Sequence, residues 1–101
     1  MRFLQLIEYR TQRIEEVHAL LDEWSATETG VGAPGRSVLG ADHDTPDTYI
    51  SMVEFPSYRE AMEHSARAET NAFAERMREI CDGEPTFHNV DVLREQSFGP
   101  E

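Results

Sequence analysis

YISMVEFPSYREAMEHSARAETNAFAERMREIC, residues 49–81, decides the fold. Tyr49 to Phe55 is rich in branched and aromatic residues and reads as a strand. Pro56-Ser57 then breaks that strand and supplies a helix N-cap. Beyond it the apolar period becomes helical, with Tyr58, Ala61, Met62 and Ser65 forming one inward stripe. Phe73, Met77, Ile80 and Cys81 form a second stripe, with a break expected around Arg67 to Thr70. Gly83 stops this helical region and Pro85 enforces the stop.

Working outward, Phe3 to Tyr9 is too short for a helix core and reads as a first strand. Thr11 is placed to cap a helix running to about Ala26, its apolar face made by Ile14, Val17, Leu21 and Trp24. The stretch TETGVGAPG, ending at Gly35, holds three glycines and a proline and reads as a loop. It is a connection or a flap over a pocket. Ser37 to Ala41 is a second strand, joined through the polar turn Asp42–Asp47 to the strand at Tyr49. Thr86 to Leu93 is the fourth strand. The order β-α-β-β-α-β predicts an α+β, ferredoxin-like domain over residues 1–95, a four-stranded antiparallel sheet with helices on one face. Residues 96–101 form a C-terminal tail.

Composition narrows the function classes. The 101 residues suffice for one small core. A net charge of −11 argues against nucleic acid and anionic membrane as partners, because phosphate binding needs a basic surface. All nine basic residues are arginines, so lysine Schiff-base chemistry and a Walker-type phosphate loop are excluded. Cys81 is the single cysteine and reads as a structural thiol. No apolar run approaches the roughly 20 residues of a membrane span. The early Glu8 interrupts any signal-peptide core, so a cytoplasmic location is expected.

Alternation within the strands predicts a partner. Leu4, Leu6, Ile50, Met52, Val90 and Val92 share one parity. The other carries Gln5, Tyr9, Tyr49, Ser51, Asn89 and Asp91 among aromatic residues. One chain's helices cover a single face, so the second apolar face calls for another copy of the sheet and a homodimer is expected. The mixed parity suits a ligand pocket, apolar walls with a few orienting polar groups. Parity leaves open which face meets the helices.

The run EFPSYREAMEHSARAETNAFAERM resembles the strand-to-helix segment of antibiotic-biosynthesis-monooxygenase-like proteins. Glu60, Ala61, His64 and Phe73 occupy the matching places of an E-A-x-x-x-H helix followed by a helix with an inward Phe. The resemblance covers the element order of the whole chain and about a quarter of it in motif. It implies a dimeric α+β barrel and, in some members, oxygenation of polyphenols without a cofactor, or haem degradation. The second helical region lacks the tryptophan of haem-degrading members, which speaks against that activity.

Under this resemblance no cofactor is expected. Oxygenation without one needs a base, walls that exclude water and groups that hold an anion. His64 is the candidate base. Tyr9, Tyr49, Ser51 and Asn89 are candidate orienting groups, with Trp24 and Phe73 as stacking walls. His88 is a surface strand histidine or a substitute base. Asp42-His43-Asp44 with Asp47 is read as turn chemistry rather than a metal site. The alternative function is a non-catalytic, small-molecule-binding module on the same scaffold.

Overall fold

The computed structural model describes residues 1–28 and 33–99. Its elements are β1 (Phe3–Arg10), α1 (Ile14–Thr27), β2 (Arg36–Ala41), β3 (Thr48–Phe55), α2 (Tyr58–Ser65), α3 (Ala68–Ile80) and β4 (Thr86–Asp91). The strands form one antiparallel sheet in the order β2-β3-β1-β4. This is the expected ferredoxin-like plan with its second helical region split in two. The centre of the glycine-rich loop, residues 29–32, lies outside the described residues, and the flap reading lies there with it.

Register ties the parity classes together. Phe3 pairs with Phe55 and Asp91, and Leu6 pairs with Met52 and His88. Each class is therefore a continuous face across the sheet. The mixed face is the one the helices cover. Phe3, Val53 and Phe55 from that face pack with Ala61 of α2, flanked by Trp24 and Met62. Val17 and Leu20 are the buried residues of α1, and Leu20 is an addition to the predicted stripe. The aliphatic face lies bare in the protomer, with Val38, Ile50 and Val90 at 40, 36 and 39% exposure.

Thr11 does not cap α1, which begins at Ile14 without a side-chain cap. The reason is a competing partner. Its hydroxyl donates to the Ile80 carbonyl at 2.6 Å and accepts from the Arg13 N–H at 2.9 Å. The Thr11 N–H meanwhile donates to the Asp47 carbonyl. This fully buried threonine clamps the end of β1 to an otherwise orphaned carbonyl at the end of α3. The Asp82 N–H, donating to the Arg10 carbonyl at 2.7 Å, strengthens the same junction.

At the other helix pair the predicted cap is present. Ser57 accepts from the Glu60 N–H, and its hydroxyl donates to the Glu60 carboxylate, both at 3.2 Å. The break falls at Ala66 and Arg67, slightly earlier than expected, where Arg67 turns extended with ψ 145°. Tyr58, placed in the inward stripe, is 54% exposed and lays its ring edge-on against Phe3 instead. No described side chain of α3 is fully buried, because this helix spans a cavity rather than sealed core. β4 ends at Asp91, short of the predicted Leu93, which is exposed. The Asp42 side chain accepts the Asp44 N–H, the turn chemistry expected of that segment, and Asp47 takes the left-handed φ of 59°. Among the described residues no helix is long and apolar enough to cross a membrane.

Candidate functional site

A cavity of about 250 Å³ lies between the covered face of the sheet and the helices. Trp24 from α1 and Phe73 from α3 form one wall, with ring centroids 5.7 Å apart and planes inclined by 38°. Ile7 and Val53 line the floor from the two central strands. Most of this lining is apolar, as small-ligand cavities usually are.

Polar groups gather in two places. Towards the Phe55 end stands His64, 5% exposed, between the rings of Phe55 and Trp24 at centroid distances of 5.2 and 6.3 Å. Its Nε2 lies 2.7 Å from Glu28 Oε1, and its Nδ1 lies 3.5 Å from the Thr70 hydroxyl. The Glu28 side chain is only 9% exposed. Among the described residues, its second oxygen, Oε2, has no hydrogen-bond partner, and Arg67 Nη1 lies 3.6 Å from it. A carboxylate in so dry a setting is costly unless opposite charge or donors face it. His64 and Arg67 supply both, one from α2 and one from the α2–α3 junction.

Towards the Tyr9 end the polar groups are neutral. The Tyr9 hydroxyl and Ser51 Oγ, both buried, form a hydrogen bond of 3.1 Å across β1 and β3. Burial pushes the Tyr9 phenol above its ordinary value, against the pull of the Ser51 bond in the other direction. Cys81 lines the same end, and burial raises its thiol pKa too, with the Asp82 charge adding to the effect. A raised thiol is a poor nucleophile, which matches a structural reading of this residue.

The candidates from the sequence thus fall into two groups. The structure brings Tyr9, Trp24, Ser51, His64 and Phe73 around one cavity. Tyr49 lines a neighbouring groove with Ile14, His18 and Leu39, its ring 6.2 Å from that of Tyr9. Asn89 sits on exposed β4, where its side-chain oxygen accepts from Gln5 Nε2 at 3.3 Å, and Gln5 in turn lines the cavity. His88 points to the bare face, opposite Leu6.

Glu28 and Thr70 escaped the sequence reading. Glu28 had one available signal, since it follows Trp24 by four residues and so continues the inward phase of α1. Thr70 had none. It stands six residues beyond His64 across a helix break, and no local period connects the two.

No protein-family model matches the sequence, and no curated relative matches it either. Solved structures do. The cofactor-independent oxygenase SnoaB from Streptomyces nogalater superposes with a TM-score of 0.76 at 10% identity, covering 93% of this chain and 95% of that one. A candidate antibiotic biosynthesis monooxygenase from Deinococcus radiodurans gives 0.75 at 9% identity, covering 99% of this chain and all of the other, 100%. Another candidate, from Bordetella bronchiseptica, gives 0.75 at 12% identity over 92% of this chain and 98% of its own. Matches this complete, at identities this low, establish a shared architecture. The chain has the ferredoxin-like α+β fold of the antibiotic-biosynthesis-monooxygenase-like proteins.

Proposed function

We propose that this protein is a cofactor-independent monooxygenase for a small, planar, hydroxylated aromatic substrate. The observation that carries the reading is His64, buried beside a carboxylate at the edge of an apolar cavity walled by Trp24 and Phe73. The fold shared with a cofactor-independent oxygenase supports it.

In this reading the aromatic rings flank the substrate and keep water out. His64 serves as the base that takes the phenolic proton, and Glu28 offsets the resulting imidazolium. Tyr9 and Ser51 offer hydrogen bonds to a second oxygen of the substrate. The electron-rich phenolate then reduces dioxygen itself. One oxygen atom enters the ring in place of hydrogen, the other leaves as water, and the phenol ends as a quinone.

Dithranol, a hydroxyanthrone, tests the reading. Purified protein should form the quinone in air and not under anaerobic conditions. His64→Ala should lower the rate by ~100-fold or more, in the range of a lost general base, with binding kept within a few-fold. Turnover that continues without oxygen, or that survives His64→Ala, would overturn it. A second reading, a binding module without chemistry, draws support from the protein partners held by both His64 nitrogens. Tight ligand binding with no turnover in any variant would favour it.

The same reading includes a homodimer formed through the bare aliphatic face. Val38, Ile50 and Val90 are exposed beside the half-buried Leu4, Leu6 and Met52, an apolar surface that a second sheet would match. Multi-angle light scattering at micromolar concentration should give twice the protomer mass. The free thiol of Cys81 suits the reducing cytoplasm, the location this reading assigns.

A further inference from the structure

Both ring nitrogens of His64 are engaged, and the identity of their partners determines the tautomer. A carboxylate only accepts hydrogen bonds, so Nε2, at 2.7 Å from Glu28 Oε1, carries the ring hydrogen. In the neutral imidazole, Nδ1 is then the bare acceptor. The group facing it is the Thr70 hydroxyl at 3.5 Å, a donor able to turn its hydrogen toward Nδ1. With its hydrogen so directed, the Thr70 oxygen keeps its lone pairs for another donor. Thr70 itself lines the cavity.

From this we infer that Thr70 is a further catalytic residue, the cavity-side end of a Glu28–His64–Thr70 proton relay. A substrate hydroxyl donates to Thr70 Oγ1. As its proton passes to that oxygen, Thr70's own hydrogen moves to His64 Nδ1. The substrate is left as a phenolate, Thr70 is unchanged, and His64 becomes an imidazolium with one N–H toward Thr70 and one toward Glu28. The relay accounts for how a histidine with little exposure and two occupied nitrogens can accept a proton from a ligand. It also gives Glu28 its place, since the carboxylate faces the new positive charge at hydrogen-bond distance. Among the described residues, the charged groups around the ring are Glu28 at the end of α1 and, behind it, Arg67 between α2 and α3. Phe55 of β3 and Trp24 of α1 face it with uncharged rings.

This inference rests on the oxygenation reading for its chemistry, but its geometry can be tested without substrate. Nitrogen-15 NMR of the ligand-free protein should show His64 as the Nε2–H tautomer. The Nδ1 resonance should shift in Thr70→Val and stay near its native position in Thr70→Ser. Finding the Nδ1–H tautomer, or an Nδ1 signal indifferent to Thr70→Val, would overturn the relay. In dithranol turnover, Thr70→Val should lower kcat by about tenfold or more with KM nearly unchanged, and Thr70→Ser should restore most of the rate. Valine matches threonine in shape, and a thermal melt of each variant separates lost folding from lost proton transfer. Full turnover in Thr70→Val beside a dead His64→Ala would sink the relay and leave the oxygenation reading standing. Failure of the oxygenation reading would appear instead as turnover that His64→Ala does not affect.

Discussion

The two faces of the one sheet reverse the usual distribution of polarity. The face under the helices carries Gln5, Tyr9 and Ser51 among its apolar residues, whereas the face open to solvent carries Leu4, Leu6, Ile50, Met52, Val38 and Val90. A half-covered antiparallel sheet ordinarily keeps its apolar side inside and its polar side wet. Here the covered face is partly polar because it floors a cavity, and its hydroxyls hydrogen-bond to one another or face that space. The open face is aliphatic, and only a second apolar surface can keep water from it. Coverage by helices and apolar character are thus separate properties of the two faces of this sheet.

Truncation on the covered face should have the largest effect on the protomer. Phe3 is 2% exposed and packs against Val53, Phe55 and Ala61, so Phe3→Ala should cost about 3–5 kcal/mol in denaturant unfolding. A loss below about 1 kcal/mol would mean that this end of the sheet is not the core. On the open face, the contact of the proposed dimer, Ile50→Glu should leave the helical circular dichroism signal unchanged and weaken self-association by roughly 2 kcal/mol, or about thirtyfold in Kd. Light scattering across a dilution series reads this directly, and an unaltered dimer would place the contact elsewhere.

The smallest effect concerns the polar floor. Tyr9 holds its proton above the ordinary phenol value of 10.0, chiefly through burial. A folded-state value raised above the unfolded one gives stability that is complete below about pH 10 and declines as pH rises toward the folded value. Ser51→Ala removes the bond that pulls the phenol down, so absorbance titration should place Tyr9 higher still. A Tyr9 transition at or below the free phenol value would show that water reaches this floor.

Much of the scaffold was legible in local sequence. Ser57 announced the N-cap that starts α2, and Gly83, at φ 85°, marked where α3 must already have ended. Thr11 misled because a threonine before an apolar period looks the same whether its hydroxyl bonds the next helix or a carbonyl 69 positions away. The site was partly legible: His64, Trp24 and Phe73 sit on recognisable helix phases and converge on the cavity. Glu28 was hidden among residues that read as a solvated loop, and Thr70 was related to His64 only through the bend at Ala66 and Arg67.

By itself the sequence determined the order of the elements, the caps and stops of the second helical region, and the division of each strand into two parities. Those are properties of neighbours two, three or four residues apart, set by backbone geometry and the staggering of side chains. Only the tertiary structure decided which parity the helices cover, and only there did Glu28, His64 and Thr70 become one chain of hydrogen bonds. The physical reason is that both outcomes depend on the packing of elements distant in sequence, where a side chain's partner is chosen by the fold and leaves no period in the chain to read.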